Sequence, residues 1–227
     1  MIRAVVFDFD GTLADTNDVK RLAYEHIFAS LTGLVGPSGN ALVASTVAKY
    51  VKDHRRSVIS GVLDAAEAAG LLPTTTGQDR YEQVEALAVA YNDICERAAS
   101  TAAEMPGAQV VVARLRKNCT LHINTGTPEM SMRAILKRRG LEGYFDSVYG
   151  AESGKAEALR EVIAFYGLGP EEVLMVGDDE ADLEGARAVG VASVGYQHNT
   201  ARLISTPNYQ ITALEQIGAI IEGCAEV

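Results

Sequence analysis

Hydrophobic positions along this chain follow two regimes, and the change between them is abrupt. Ala4-Val5-Val6-Phe7 is an uninterrupted apolar run that stops at two carboxylates, Asp8 and Asp10, one residue apart. A run this short, rich in β-branched and aromatic side chains, predicts a strand buried on both faces, as in a parallel sheet. After Leu13 the period becomes helical. Ala14-Asp15-Thr16-Asn17-Asp18 is a cluster of helix-capping residues, and Val19, Leu22, Ala23, Ile27 and Leu31 then recur on one stripe. Two further helical patterns carry Leu42, Val43, Val47 and then Val58, Val62, Leu63, Ala66. A longer one, from about Tyr81 to Ala99, aligns Val84, Leu87, Ala88, Tyr91, Ile94 and Cys95. Glycine and proline breaks at Gly36-Pro37-Ser38-Gly39 and Gly70-Leu71-Leu72-Pro73 separate these helices. No segment from Asp15 to Glu104 has the pattern of a strand.

Beyond Met105-Pro106-Gly107-Ala108 strands and helices alternate. The pattern predicts a helix from Val110 to Arg116, a strand from Thr120 to Asn124, and a helix opened by Pro128 and ended by Gly140. A strand from Ser147 to Tyr149 and a helix from Ala156 to Tyr166 follow. Next come a strand from Val173 to Val176, a helix from Leu183 to Val189 and a strand from Val191 to Val194. Repeated βα units argue for an α/β fold, a doubly wound parallel sheet of the Rossmann-like, three-layer α/β/α kind. The first strand finds partners only in that group. The helical block is therefore an insertion: a core of residues 1–15 and 105–227 is expected, with an all-helical cap domain over 16–104.

Composition narrows the function without naming it. The chain has 227 residues, 48% of them hydrophobic, enough for a core domain and a smaller companion. Its formal charge of −10, with no extended basic face, argues against nucleic acid as a partner. No apolar run approaches the length of a membrane span. Cys95, Cys119 and Cys224 show no paired spacing, which fits inert thiols in a reducing compartment. Met1-Ile2-Arg3 leads straight into the first strand without a signal peptide, so the expected location is cytoplasmic.

Three predicted strands end in residues suited to phosphate or metal, at the sheet edge where open α/β sheets bind ligands. Asp8 and Asp10 are costly there unless paired, solvated or bound to a cation. The second strand ends in Thr125-Gly126-Thr127-Pro128: a hydroxyl, a flexible glycine, an N-cap and a proline for the first helical position. That is a helix N-terminus with free amides, ready for an anion. The third runs into Gly177-Asp178-Asp179-Glu180-Ala181-Asp182, a density of acids that repels itself unless a cation relieves it. Asp178, nearest the strand, is expected to be the first ligand, and the all-oxygen set suits Mg2+ rather than zinc. Asp179 and Glu180 read equally well as solvated acids. In the insertion, Lys52-Asp53-His54-Arg55-Arg56 is a basic cluster that reads as a substrate-binding group (His54, Arg55, Arg56) or as a polar surface junction. His26, His122 and His198 lack metal-ligand spacing and are expected to be structural, although the loop Gly195-Tyr196-Gln197-His198 follows a strand and is a further candidate to border the site.

These motifs together resemble the haloacid dehalogenase-like hydrolases. Asp8-Phe9-Asp10-Gly11-Thr12-Leu13 is similar to their first motif, DxDGTL, and Thr125 at its strand end to their second. Lys155, in Glu152-Ser153-Gly154-Lys155, is similar to the third, and Gly177 to Asp182 to the fourth, GDxxxD. The order matches, the resemblance spans the chain, and the helical insertion lies where phosphoglycolate-phosphatase-like members place a cap. The resemblance implies that Asp8 is a nucleophile forming an aspartyl-phosphate. It makes Asp10 the acid and base for the leaving oxygen and the water. Asp8, the main-chain carbonyl of Asp10, and Asp178 would hold Mg2+, with Asp179 or Asp182 in support. Thr125, Gly126 and Lys155 would bind phosphoryl oxygens.

Dehalogenases of the family lack an acid where Asp10 stands, so its presence favours phosphoryl chemistry. Two positions depart from the family pattern: Gly126 replaces a common asparagine, and Ala156 replaces the proline that often follows the lysine. The expected protein is a Mg2+-dependent phosphatase acting on a small phosphate ester. The alternatives are a phosphomutase of the β-phosphoglucomutase type, a phosphonate hydrolase using Lys20, Lys49 or Lys52, or a binding protein that keeps the fold without turnover.

Overall fold

The computed structural model describes residues 1–50, 55–199, 201 and 203–223. The chain forms two compact units, one of Met1–Asn17 with Ala99–Val227 and one of Asp18–Ala98.

The first unit is built on a sheet of six strands among the described residues: β1 (Ala4–Phe7), β2 (Thr120–Asn124), β3 (Ser147–Tyr149), β4 (Val173–Gly177), β5 (Ala192–Tyr196) and β6 (Tyr209–Ile211). Their order is β3-β2-β1-β4-β5-β6, and every pairing is parallel. β1 is central: Phe7 pairs with Ile123 on one side and Val176 on the other. Because all strands run one way, Asp8, Thr125 and Asp178 leave the sheet from the same edge.

Alternation along the strands decides which helices cover which face. Val5, Phe7, Leu121, Ile123, Leu174 and Val176 share a core with α5 (Ala108–Leu115), α6 (Glu129–Arg138) and α9 (Ile217–Ile221). Ala4, Val6, Val173 and Met175 share a second core with α7 (Lys155–Tyr166) and α8 (Glu180–Val189). The four residues of β1 have no solvent exposure, as expected of a strand covered on both faces.

The second unit is helical, as its pattern predicted. It contains nearly all of α1 (Asn17–Phe28), α2 (Pro37–Lys49), α3 (Arg55–Ala68) and most of α4 (Gly77–Thr101). Ile27, Phe28, Val58, Ile59, Val62, Leu63, Leu87 and Ala88 form its core. Leu22, expected on the buried stripe of α1, is half exposed instead. Tyr24 takes the inward position and packs its ring against Tyr91 at 4.4 Å. An aromatic pair buries more apolar area there than the leucine would, which sets the rotation of α1.

The two chain segments that join the units run side by side within the first unit. Asp15 N donates to Ala103 O at 2.9 Å, and Met105 N donates to Leu13 O at 3.0 Å. Arg139 reinforces this arrangement by donating from Nη1 to Ala99 O and Ala102 O, at 2.8 and 2.9 Å, at the end of α4. Its guanidinium also lies over the Phe9 ring, 5.9 Å from the centroid. The last turn of α4 is thus bound to the first unit.

Several boundaries differ from the pattern for identifiable reasons. α8 begins at Glu180, about a turn earlier than its apolar stripe, because the Asp179 side chain accepts from Ala181 N and Asp182 returns a bond to Asp179 N. Pro128 stands at the N-cap of α6 rather than at its first helical position. β6 and α9 were not expected, being three and five residues long.

His122 sits inside the sheet with no exposure, its ring nitrogens 2.8 Å from Ser147 Oγ and 3.0 Å from Thr120 Oγ1. Burial pushes its pKa down to about 4; Asp146 opposes the shift and Arg116 reinforces it. The unfolded chain therefore takes up this proton first. The contribution of His122 is intact above pH 6.5 and is lost as pH falls toward 4. Urea titrations of wild type and H122L are expected to move in the variant's favour over that interval, by about 1 kcal/mol per pH unit at the steepest point. A difference that stays constant with pH contradicts a neutral buried imidazole.

Candidate active site

The loop after β1 is wound around one carbonyl. Phe9 O accepts from Thr12 N, Leu13 N and Ala14 N at 3.3, 3.0 and 3.1 Å, while Asp8 N remains tied to Val176 O of β4 at 2.8 Å. Gly11 takes φ +80°, and a Cβ there would lie 2.3 Å from Asp178 Oδ2 and 2.4 Å from Asn17 Nδ2. Only glycine permits both the turn and the close approach of Asp178. Asp8 and Asp10 emerge 6% and 8% exposed.

Asp8 faces Lys155, the first residue of α7. The lysine Nζ lies 2.7 Å from Asp8 Oδ1, 2.7 Å from Asp182 Oδ1 and 2.6 Å from Asn124 O. The Asn124 side chain donates to Lys155 O at 3.1 Å, so the end of β2 holds the lysine at both its ammonium and its backbone. Asp182 reaches this position from α8 over Gly177, where a Cβ would fall 2.1 Å from its carboxylate. Burial opposes the charge on Lys155, but Asp182 and Asp8 outweigh it and hold the ammonium above its usual range.

The carboxylates lack enough positive charge. Burial raises Asp8 to about 7; Lys155 opposes the shift, and Asp182 and Asp10 add to it. Burial likewise raises Asp178, to about 6, with the charge of Asp8 reinforcing it. Asp182 is raised by burial against the pull of Lys155. Asp8, Asp178 and Asp182 each offer an oxygen within 4.8 Å of the others. Three buried acids sharing one ammonium, with oxygen donors only, form a set that fits a hard divalent cation.

Asp10 lies in different surroundings. Its Oδ1 accepts from Thr16 Oγ1 at 2.6 Å, and its Oδ2 accepts from Thr125 Oγ1 and Thr127 Oγ1 at 3.4 and 3.3 Å. Thr125 Oγ1 also accepts from Thr127 N at 3.1 Å, and Gly126 is exposed between them. Asp178 is held by Thr12 Oγ1 at 3.2 Å, Asn17 Nδ2 at 2.9 Å and His198 Nε2 at 3.2 Å.

Asp8, Asp10, Thr125, Lys155, Asp178 and Asp182 are therefore brought to one edge of the sheet. Asp179 is not: it is exposed and caps α8, because its carboxylate satisfies the Ala181 amide at the helix start. Glu180, which also read as solvated, is buried; it accepts from Ile204 N and Ser205 N at 2.9 Å each and from Ser205 Oγ. Those bonds, the serine hydroxyl first, hold its carboxyl down at about 2. Thr16, Thr127, Thr12 and Asn17 were missed as site residues because their sequence context reads as turn and helix capping. Thr127 in particular turns its hydroxyl to Asp10 and leaves the N-cap to Pro128. In the helical unit, Arg56 forms a two-point pair with Glu85, and Arg55 Nη1 donates to Asn92 Oδ1. Lys52, Asp53 and His54 lie outside the described residues.

Comparison with known proteins points to one family. Residues 2–190 match the sequence model of a haloacid dehalogenase-like hydrolase. The phosphoglycolate phosphatase of Pseudomonas putida is 26% identical, over 99% of this chain and 80% of that protein. The phosphoglycolate phosphatase of Vibrio vulnificus is 25% identical, over 95% of this chain and 94% of that protein. A haloacid dehalogenase-like hydrolase structure from Streptococcus pneumoniae superimposes with a TM-score of 0.71 at 21% identity, over 96% of this chain and 98% of that one.

Cation binding at this cluster must compete with protons on Asp8 and Asp178. Both folded pKa values lie above the ordinary carboxylate value, so in the cation-free protein these groups favour the fold at low pH, and that contribution is lost as pH rises through about 6 and about 7. The stabilisation by added cation has the opposite sign of pH dependence. The rise in thermal midpoint on adding a divalent cation is expected to be small at pH 5, to grow through pH 6 to 7, and to level off above; D178N removes it. A rise independent of pH, or one kept by D178N, contradicts binding at these carboxylates.

Proposed function

The chain belongs to the haloacid dehalogenase-like hydrolases, and from that membership and the geometry of its site we propose a Mg2+-dependent phosphatase that passes the phosphoryl group of a small ester to Asp8 and then to water. The observation that carries this reading is the difference in environment between the two acids of one loop. Asp8 is held by an ammonium within a cluster short of positive charge, whereas Asp10 is surrounded by three hydroxyls. Such a split assigns one carboxylate to nucleophilic attack and the other to proton transfer.

In this reading Asp8 attacks phosphorus as the bond to the leaving oxygen breaks, and Asp10 gives that oxygen its proton. Asp10 then takes a proton from water as the water attacks phosphorus, the bond from Asp8 to phosphorus breaks, and phosphate leaves. Lys155 keeps Asp8 ionised and in place, and its charge opposes the repulsion between the carboxylates and a phosphate dianion. Thr125 is assigned both to orienting Asp10 and to the phosphoryl oxygens, which the amide of Gly126 also faces in this scheme. When bound by Asp8, Asp178 and the Asp10 carbonyl, Mg2+ supplies charge neutralisation of the transferring phosphoryl group. Asp182 holds Lys155 and would support the cation through it.

For the organic part of the substrate, the proposed recognising residues are His54, Arg55 and Arg56 of the helical unit, Arg55 bonded to Asn92 and Arg56 to Glu85. The two named relatives make phosphoglycolate the first ester to test. A cytoplasmic setting belongs to the same proposal, and neither Cys95 nor Cys119 is in a disulfide. No helix among the described residues is long and apolar enough to cross a membrane.

Phosphate release from phosphoglycolate and from an aryl phosphate, measured with Mg2+, is the test of this reading. D8N is expected to abolish turnover with the far-ultraviolet circular dichroism unchanged. D10N should lose about 10^2- to 10^4-fold, the usual worth of a positioned acid and base. Chelation should stop the reaction and Mg2+ restore it. Full activity in D8N sinks the mechanism, and turnover only in the presence of a sugar bisphosphate points to a mutase instead.

A further inference from the structure

We propose that His198, in the loop after β5, is a positioning residue for Asp178 and through it for the cation site. The inference rests on the reading of Asp178 as a metal ligand. A carboxylate rotates readily about its last torsion, so a ligand carboxylate needs fixed partners to aim its lone pairs. Asp178 has three: Thr12 on Oδ1, and both Asn17 and His198 on Oδ2. Asn17 and Thr12 belong to the segment that follows the nucleophile. His198 comes from the other side of the site, and with Asp178 ionised its Nε2–H is the donor.

The loop that carries His198 is held as a support. Gln197 N donates to Ile211 O at 2.7 Å, which fixes the chain just before the histidine. The buried Tyr196 ring lies 4.9 Å from the imidazole at 45° and limits its rotation. Further along, Ile204 N, Ser205 N and Ser205 Oγ all donate to Glu180. Glu180 stands two residues after Asp178, so one short segment carries both the ligand and the anchor of the loop that returns to hold it. The ring is largely enclosed, with its side chain 14% exposed. An imidazole so placed stiffens the cation site without entering the reaction.

The test is calorimetric titration of Mg2+ into metal-free full-length protein, for wild type, H198L, H198N and H198Q. Thermal midpoints without metal serve as the control for folding. Loss of a side chain that orients a metal ligand is expected to weaken Mg2+ binding about 10- to 100-fold in H198L. H198N, too short to reach Asp178, should behave similarly and serves if leucine is not tolerated. In H198Q the amide nitrogen reaches the place of Nε2, and affinity should return to near the wild-type value. In steady-state assays the loss should fall on the Mg2+ activation constant, with kcat recovered at saturating Mg2+. Wild-type affinity in H198L and H198N overturns the inference, as does weakening in H198Q equal to that in H198L. Absence of Mg2+ binding by the wild type overturns the metal reading of Asp178 itself, and this inference with it.

Discussion

The ammonium of Lys155 is the interaction on which the rest of this site depends. It stands between Asp8 and Asp182 at 2.7 Å from each and takes the Asn124 carbonyl as a third partner. Those groups arrive from β1, α8 and β2, so one charge ties the ends of three elements together. Without it, two carboxylates less than a tenth exposed would face each other beside the buried strand β1, at a cost of several kcal/mol per ion. With it, three carboxylates still share one ammonium, and burial, with neighbouring acids adding to it, keeps Asp8 and Asp178 raised. That residual deficit is what a divalent cation is suited to fill.

The sheet makes this concentration of charge feasible. β1 is paired along its length on both sides, and its continuation, Asp8, is still bonded to β4. Asp8, the proposed nucleophile, is therefore anchored to the centre of the sheet, while Gly11 turns the chain after Asp10 toward Thr16 and Asn17. Side chains that must meet within a few tenths of an ångström are carried by strand ends and first helical turns, with the loops as supports. Glu180 shows the same economy: a buried acid beside the site spends its hydrogen bonds on the loop that carries His198.

Much of this was legible in the amino-acid order. β1 and β4 lie where uninterrupted apolar runs, AVVF and VLMV, stand in the chain, since a buried parallel strand writes itself as a continuous hydrophobic segment. Asp8, Asp10 and Asp178 stand at or just past strand exits and Lys155 at a helix start, at the end of a parallel sheet where ligands bind. The remainder is hidden for physical reasons. β6 is three residues with an exposed glutamine in the middle, too short to show a period. Leu22 and Tyr24 are equally plausible inward residues until the Tyr91 ring selects one. Thr16, Thr127 and Asn17 sit in contexts that read as capping, and only the folded loop reveals that their polar atoms turn to carboxylates far along the chain. Asp179 and Glu180 are adjacent acids, yet one is a helix cap and the other a buried clamp; that choice is made by the partners each finds.

The covalent role of Asp8 is tested most directly by trapping. D10N, mixed with a phosphate ester labelled in its phosphoryl group and Mg2+, is quenched in acid within one turnover and digested. Label is predicted on the peptide containing Asp8, released by hydroxylamine as an acyl phosphate requires, and absent when Asp8 is also replaced by Asn. Labelled inorganic phosphate formed at the single-turnover rate, with no label on that peptide at any time, would contradict it.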